Sequence, residues 1–312
     1  MGKSDSGNFL GVKMRKTFLS IMAAIMTAVI LFTVIPIASN NVEAAGVRYK
    51  RGTYGVPDDN YKNRGTVFFP EGSTNGSCRA LIYIHGASGD EELLKDFESY
   101  LNKFYGCFPE CEQYVIIVPH LVKYGNGEKY SETDFMEFIN GGHLDKLYSS
   151  ILNHTFRQVD TSKSVMIAGH SMGGSAALAA ASKYWWRFDT VGALSPSMHF
   201  CNDFATNVFY RTSDIPNIGL SNYSSSTYFI SYGKNEDSQF WANADRYFDI
   251  VERQAPNSLS VLYEWNLGGY AHGWPLFQRE LFSFMYFVNH KNTNAKPVPD
   301  DTKNWIETIG KR

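Results

Sequence analysis

The sequence lacks the charge excess of a nucleic-acid-binding protein. Its 29 basic and 31 acidic residues nearly balance, and no segment carries a basic stripe or interleaves basic with aromatic residues. A nucleic-acid partner is therefore not expected. No repeat of about 20–50 residues and no low-complexity tract stands out, so repeat architectures are not expected either. The chain of 312 residues, 44% of them hydrophobic, is long enough to bury one large core.

Cysteine is also scarce, with only Cys78, Cys107, Cys111 and Cys201 in the chain. An even number permits two disulfides in three connectivities, and Cys107 and Cys111 are close enough in sequence to pair locally. No histidine flanks that pair at ligand spacing, so a zinc site is not expected. Free buried cysteines remain the alternative, because a domain of this size does not need disulfides to fold.

The N-terminal residues 1–45 have the pattern of a secretory signal peptide. A basic segment from Lys13 to Lys16 precedes an apolar run from Phe18 to Ile37, and a polar stretch then ends in small residues. The apolar run is long enough to span a bilayer, so an uncleaved anchor is the alternative. We expect cleavage, an extracellular location and no stable membrane insertion. Residues 46–290 would then form the folded catalytic domain, and residues 291–312 a C-terminal tail.

Apolar runs and helical periodicities alternate along the rest of the chain. The polar segment from Lys123 to Gly142 is predicted to be a loop. Strands that alternate with helices imply an α/β fold, with a mostly parallel sheet covered by helices on both faces. The pattern predicts strands at 66–69, 80–84, 114–118, 165–168, 191–194, 227–232 and 259–264, and helices at 93–104, 144–152, 247–251, 276–288 and directly after residue 171.

The stretch from Val165 to Leu178 carries the strongest chemical signal. It passes from an apolar segment through Gly-x-Ser-x-Gly, with Ser171 at its centre, into an alanine-rich run. This is the strand, sharp turn and helix order of a nucleophile elbow, which holds a serine hydroxyl clear of the sheet. Gly169 and Gly173 fit that geometry because two backbone segments would pass too close there for a side chain.

A serine nucleophile needs a base, and the base needs an orienting acid. In the expected order Ser, acid, His, only His272 and His290 lie far enough downstream of Ser171. His290 falls at the end of a predicted helix, where a solvated residue is the simpler interpretation. His272 lies in a glycine-containing loop between the last strand and the last helix, from which a side chain can reach the elbow. His272 is therefore the predicted base.

The acid and the oxyanion donors are expected in two further loops. After the strand at 227–232, the loop carries two adjacent carboxylates, and we predict Asp237 as the acid because Asp is the commoner partner, with Glu236 as the alternative. The backbone N–H groups of Met172 and Ala87 are the predicted oxyanion donors. His85, beside Ala87, is interpreted as a structural hydrogen-bonding residue rather than a second base.

These residues resemble those of the putative-esterase branch of the α/β-hydrolases, which contains the feruloyl and acetylxylan esterases of carbohydrate esterase family 1. The resemblance implies Ser171 as nucleophile, His272 as base, Asp237 as acid, and no requirement for a metal or cofactor. It covers roughly residues 66–290 and rests on Ile84-His85-Gly86, Val159-Asp160, Gly169-His170-Ser171-Met172-Gly173-Gly174, the loop 233–237 and Gly269-x-x-His272-x-Trp274.

The resemblance and the export signal together imply a secreted serine esterase. Its expected substrate is an ester, with feruloyl or acetyl groups on plant polysaccharide as the leading candidates. The aromatic segment from Ser195 to Ser226, with Trp274 beside the base, is a hypothesis for an aromatic acyl site, although aromatic clusters more often belong to a core. The alternatives are a secreted peptidase, a lipase, an acyltransferase or a non-catalytic carbohydrate-binding protein on the same fold.

Overall fold

The computed structural model describes residues 47–55, 64–89, 91–123, 126, 128–184, 186–197, 226–254, 258–265 and 271–290. These residues all belong to the compact unit Gly46–Arg312. The predicted signal peptide, the predicted C-terminal tail, Cys201 and most of the aromatic segment 195–226 lie outside the described residues. Within the described ranges, no helix has the length and apolarity needed to cross a membrane.

Strands and helices alternate along the described chain. The strands are β1 (Tyr49–Gly55), β2 (Arg64–Pro70), β3 (Arg79–Ile84), β4 (Tyr114–Pro119), β5 (Val165–His170), β6 (Phe188–Leu194), β7 (Thr227–Gly233) and β8 (Leu259–Trp265). The helices are α1 (Glu91–Cys107), α2 (Glu132–Asn140), α3 (His143–Leu152), α4 (Met172–Lys183), α5 (Ser238–Gln254) and α6 (Trp274–Asn289).

The strands form one sheet in the order β1-β2-β4-β3-β5-β6-β7-β8. Only the pairs β1–β2 and β2–β4 are antiparallel, and the remaining neighbours in the sheet are parallel. The prediction of a mostly parallel sheet is confirmed. Because β3, β5, β6 and β7 run in the same direction, the loops that follow them emerge at one edge of the sheet, where open α/β folds build their sites.

Helices cover both faces of this sheet, as predicted. The central strands read as continuous apolar runs because they are buried on both sides, and alternate side chains enter opposite layers. One layer contains α2, α3, α4 and part of α5, and the other contains α1 and α6. Ile82, Ile117, Ile167, Phe135 and Ala177 belong to the first layer, and Leu81, Ile116, Met166, Phe97 and Phe284 to the second.

Two elements were not predicted, β1 and α2. The prediction of a loop from Lys123 to Gly142 is wrong for α2, whose buried Phe135, Phe138 and Ile139 lie three and four residues apart on one face. Ser131 caps the N-terminus of this helix, and its backbone N–H donates to Asp134 Oδ2 at 2.6 Å in a capping box. The polar outer face of this short helix concealed the periodicity.

The local disulfide that the spacing allowed is not formed. Cys107 and Cys111 are not bonded to each other; Cys78 and Cys111 are buried, whereas Cys107 is exposed. Burial raises the pKa of the Cys111 thiol to about 12, with a smaller contribution from the Glu110 carboxylate. Cys111 is therefore a thiol at neutral pH and behaves as a small buried apolar side chain.

Candidate active site

Ser171 lies at the sharp turn between β5 and α4. Its backbone has φ 54° and ψ −124°, a conformation that a residue with a side chain rarely adopts. The surrounding chain fixes it there: the Ser171 N–H donates to the Leu194 carbonyl at 2.9 Å, and the Ser197 N–H donates to the Ser171 carbonyl at 3.2 Å. This strained turn directs the side chain away from the sheet, which is the geometry of a nucleophile elbow.

The glycines on either side of Ser171 are required by close backbone contacts. A Cβ at Gly173 would overlap the carbonyl oxygens of Ile84 and His85 at the end of β3. A Cβ at Gly169 would overlap the carbonyl of Gly173. The first turn of α4 therefore packs directly against the backbone of β3, and this packing sets the direction in which Ser171 leaves the sheet.

Three side chains from separate loops form one chain of contacts at this edge. The His272 Nε2 atom lies 2.9 Å from Ser171 Oγ. On the other side of the ring, His272 Nδ1 lies 2.5 Å from Glu236 Oε1. The Glu236 side chain is fully buried, while a quarter of the His272 side chain is exposed. An N–H at Nδ1 that donates to the carboxylate leaves Nε2 free to accept the serine proton.

The structure places Glu236, and not the predicted Asp237, against His272. Asp237 is exposed, and its carbonyl accepts the N–H of Phe240 at the start of α5. Glu236 turns inward instead, because the Gly233 N–H donates to its Oε2 at 2.7 Å and holds the carboxylate below the loop. The sequence analysis preferred Asp by residue type, whereas the structure turns inward the carboxylate that stands three residues after Gly233.

Aromatic rings fix the plane of the His272 imidazole. Phe240 stacks on it with ring centroids 3.8 Å apart and an interplanar angle of 14°. Phe277 approaches its edge, with centroids 4.9 Å apart at 82°. Trp274 packs on His170 and Phe97 in the layer of α1 and α6, so in the structure it contributes to the core rather than lining the base.

His170, the residue before the nucleophile, ties the elbow to the loop after β3. The Gly86 N–H donates to His170 Nε2 at 3.0 Å, so the proton of the neutral ring is on Nδ1, which lies 3.0 Å from Tyr83 Oη. Burial, followed by the neighbouring His85 and His272, holds the pKa of His170 well below its usual range. His170 is therefore a neutral crosslink that sequence reasoning overlooked.

This crosslink brings the predicted oxyanion loop to the nucleophile. An added Cβ on Gly86 would lie 3.2 Å from Ser171 Cβ, so Ala87 begins directly beside the elbow. Ala87 and Met172 are both partly exposed, and the Ala87 carbonyl accepts the Tyr130 N–H at 2.8 Å, which anchors the loop. His85 is buried, with Nδ1 2.7 Å from the Gly86 carbonyl oxygen and its ring against Tyr130.

His290, the alternative base, lies elsewhere. It follows α6, its Nδ1 is 2.8 Å from the Tyr286 carbonyl oxygen, and its ring stacks on Tyr286.

Behind Glu236, sequence reasoning missed a second group of polar residues. Ser195 Oγ lies 2.8 Å from Glu236 Oε2 and also contacts the carboxyl of Glu280, which is fully buried.

Comparisons with known proteins show the family to which the chain belongs. The sequence profile of the Esterase family, described as "Putative esterase", matches residues 61–264, more than half of the chain. No curated protein matches the chain by sequence. The matched region includes Ser171 and Glu236, and His272 follows it.

Similar solved structures share the fold at low sequence identity. A ferulic acid esterase is 15% identical with a TM-score of 0.55, over 78% of this chain and 98% of its own. S-formylglutathione hydrolase FrmB from Staphylococcus aureus is 15% identical with a TM-score of 0.54, over 77% and 96%. The ferulic acid esterase AmCE1/Fae1A from Anaeromyces mucronatus is 17% identical with a TM-score of 0.54, over 77% and 90%. With the family match, the chain belongs to the Esterase family and is a serine carboxylic ester hydrolase of the α/β-hydrolase fold.

Proposed function

We propose that the chain is a secreted esterase that removes acyl groups from plant polysaccharide, with Ser171, His272 and Glu236 as its catalytic triad. The observation that carries this mechanism is the unbroken chain of contacts, 2.9 Å from Ser171 Oγ to His272 Nε2 and 2.5 Å from His272 Nδ1 to Glu236 Oε1. Nucleophile, base and acid are then within hydrogen-bond reach in the order that acyl transfer requires.

In this mechanism Ser171 Oγ attacks the ester carbonyl carbon while His272 Nε2 takes the serine proton. The tetrahedral intermediate collapses, the bond to the alcohol oxygen breaks, and His272 returns the proton to the leaving alcohol. Water then attacks the acyl-enzyme, with His272 as base, and releases the acid and free Ser171. Glu236 keeps the proton of Nδ1 in place throughout and stabilises the imidazolium that forms in each half-reaction.

The negative oxygen of the intermediate is assigned to the backbone N–H groups of Met172 and Ala87. Met172 N–H belongs to the first turn of α4, where the positive end of the helix dipole adds to the effect. Ala87 follows Gly86, which His170 holds against the elbow. Preorganised donors of this kind supply a large part of the rate enhancement of acyl transfer.

The proposed substrate is a feruloyl or acetyl ester on plant polysaccharide. Two of the similar solved structures are ferulic acid esterases, which supports an aromatic acyl group. The first 45 residues have the basic, apolar and small-residue order of a signal peptide, and the export that this order predicts supports an extracellular polymer as substrate.

The test is hydrolysis of p-nitrophenyl acetate, methyl ferulate, acetylated xylan and feruloylated arabinoxylan by the purified chain, with Ser171→Ala as the matched control. We expect turnover by the native chain and its loss in Ser171→Ala. The ratio of rates on the two small esters distinguishes a small from an aromatic acyl pocket. Turnover of small esters without release from either polymer would contradict the polysaccharide substrate, and turnover that survives in Ser171→Ala would contradict the triad.

Secretion needs its own experiment. The full chain is expressed in a bacterium, and esterase activity is measured in the medium and in the cells. We expect activity in the medium, with a mature N-terminus near Ala45 or Gly46 by N-terminal sequencing. Activity that stays with the membrane fraction, on a chain that retains residues 18–37, would indicate an uncleaved anchor instead.

A further inference from the structure

A second glutamate lies behind the triad acid. Glu280, in α6, is 0% exposed. Its Oε1 is 2.8 Å from Ser231 Oγ, and its Oε1 and Oε2 are 3.0 and 3.1 Å from Ser195 Oγ. Ser195 Oγ is also 2.8 Å from Glu236 Oε2. A single serine hydroxyl therefore bridges two buried carboxyl groups.

The number of hydrogens available decides how this bridge is made. A serine hydroxyl carries one hydrogen. Glu236 accepts the Gly233 N–H on Oε2 and faces His272 Nδ1 with Oε1, as an ionised carboxylate does. If Ser195 gave its hydrogen to Glu280, an oxygen lone pair would face the negatively charged Oε2 at 2.8 Å. The favourable assignment directs that hydrogen to Glu236, so that Ser195 Oγ can meet Glu280 only as an acceptor.

Glu280 must then supply a proton of its own. One carboxyl oxygen donates to Ser195 Oγ, and the other accepts the hydroxyl of Ser231. This pattern satisfies every polar atom of the group without a buried, unpaired charge. Burial first, and the negative charge of Glu236 second, hold the pKa of Glu280 well above its usual range, against the opposing effect of its serine hydrogen bonds.

The other titratable groups around Glu280 come from several elements. Tyr83 on β3 is neutral, since burial raises its pKa. Tyr83 is hydrogen-bonded to the neutral His170 of β5, and Glu236 is hydrogen-bonded to His272 in the loop before α6. On α6 itself, the Arg279 guanidinium donates to the Pro275 carbonyl at 3.2 Å. The described contacts of α1 with α6 near Phe282 are made by aromatic rings, Tyr100 and Phe104.

Strain at Ser195 indicates that the bridge is built at a cost. Ser195 has φ 46°, in the left-handed region that disfavours residues with side chains. Its N–H donates to the Ser231 carbonyl at 2.8 Å, which pins the residue at the end of β6 between the two carboxyls. Backbone strain of this kind persists where the surrounding structure holds a residue in a functional position.

We propose that Glu280 is a neutral carboxylic acid that donates to Ser195 and, through Ser195, holds Glu236 as the ionised acceptor of His272. Glu280 is thus a positioning residue, and the inference rests on the proposed triad. Hydrogen bonds in such a chain polarise one another, so the donation from Glu280 strengthens the donation from Ser195 to Glu236. The second glutamate keeps the first one ionised and oriented.

The test compares Glu280→Gln, Glu280→Leu and a matched control, Glu110→Gln, which neutralises an exposed glutamate just before β4. The Gln amide keeps one donor for Ser195 and one acceptor for Ser231, while Leu keeps neither. We expect Glu280→Leu to lower kcat about tenfold with little change in KM, the rate equivalent of one buried hydrogen bond. Glu280→Gln should restore most of that loss and leave the acid limb of the pH profile of kcat/KM where it is in the native chain.

Infrared difference spectra measure the proton directly. At neutral pH an exposed carboxyl is ionised, so a carboxylic acid C=O band in the native chain that Glu280→Gln lacks and Glu110→Gln retains identifies a protonated Glu280. Absence of that band would overturn the proposal. It would also be overturned by a Glu280→Gln chain that does not fold, that is as slow as Glu280→Leu, or whose acid limb moves to lower pH by about one unit, as loss of a nearby negative charge would cause. Because the spectra do not depend on turnover, they stand apart from the ester assays that test the triad.

Discussion

Replacing Glu236 by Gln should abolish most of the activity by reversing the tautomer of His272. The carboxylate has two unequal sides in the structure. Oε2 receives two donors, the Gly233 N–H at 2.7 Å and the Ser195 hydroxyl at 2.8 Å, while Oε1 faces only His272 Nδ1. In the Gln variant the amide oxygen must occupy the Oε2 position, since an NH2 group there would meet two donors. The NH2 group then faces His272.

An NH2 group can only donate to Nδ1, so the neutral imidazole must carry its proton on Nε2 instead. That proton points at Ser171 Oγ, 2.9 Å away, and the ring can no longer accept the serine proton. Loss of the correct tautomer in a triad of this kind lowers kcat by about 10³–10⁴, equivalent to roughly 4–5.5 kcal/mol of transition-state stabilisation. Substrate binding is not involved, so KM should change by no more than about threefold.

The matched control is Asp237→Asn, which neutralises the neighbouring carboxylate in the same loop. Its side chain is exposed, and kcat should stay within about twofold of the native value. Steady-state hydrolysis of p-nitrophenyl acetate measures both variants, and thermal unfolding checks that both are folded. A large loss in Asp237→Asn beside a small one in Glu236→Gln would refute the assignment of the acid and the tautomer reasoning with it.

Gly173→Ala should lower the free energy of unfolding by about 3 kcal/mol or more, because its Cβ would overlap the Ile84 and His85 carbonyls. The control is Gly106→Ala, whose Cβ meets open space and which should not destabilise the protein. Urea unfolding compares the two variants. In the ester assay, His170→Leu should lower kcat by a factor about ten times larger than its effect on KM, because the Gly86 N–H loses its acceptor and the oxyanion loop loses its anchor. His170→Gln should recover part of that loss. Above the ordinary pKa of Glu, the unfolded native chain releases the Glu280 proton, whereas the folded chain keeps it. The free energy of unfolding of the native chain therefore falls as pH rises, by about 1.4 kcal/mol per pH unit. Glu280→Gln lacks this proton, so its stability relative to the native chain should rise by the same amount per pH unit. Unfolding curves between about pH 5 and about pH 8 measure this slope, and a difference that is constant with pH would contradict a protonated Glu280.

Local sequence patterns predicted the parts of the site that depend on local geometry. The glycines around Ser171 signal the elbow because their spacing is imposed by backbone contacts within one turn and the neighbouring strand. The position of His272 followed from the order of elements along the chain. The choice between Glu236 and Asp237 failed because residue type was weighed above spacing, although the position three residues after Gly233 is the one that faces inward.

The support behind the acid could not be predicted in the same way. Ser195 is 41 positions from Glu236 and 85 positions from Glu280, and Ser231 is 49 positions from Glu280. Nothing local marks a serine at a strand end or a glutamate in a helix. The available signal was the composition of α6, where Arg279 and Glu280 interrupt a run of apolar residues that the structure buries on all sides. A charged residue in such a buried helix needs a polar partner, and the sequence alone did not identify that partner.

The order of strands in the sheet explains why these residues, distant in sequence, lie together in one site. β5, β6 and β7 are neighbours in the sheet. Ser171 and Ser195 directly follow β5 and β6, and Ser231 lies two residues before the end of β7. The Ser171 N–H is bonded to the Leu194 carbonyl of β6, and the Ser195 N–H to the Ser231 carbonyl of β7. The strained turn that exposes the nucleophile and the strained residue that supports the acid are therefore linked through consecutive strands. A substitution that relaxes the backbone of Ser195 should alter the positions of both Ser171 and Glu236. Variants of these residues should therefore show non-additive losses of activity in double-mutant cycles.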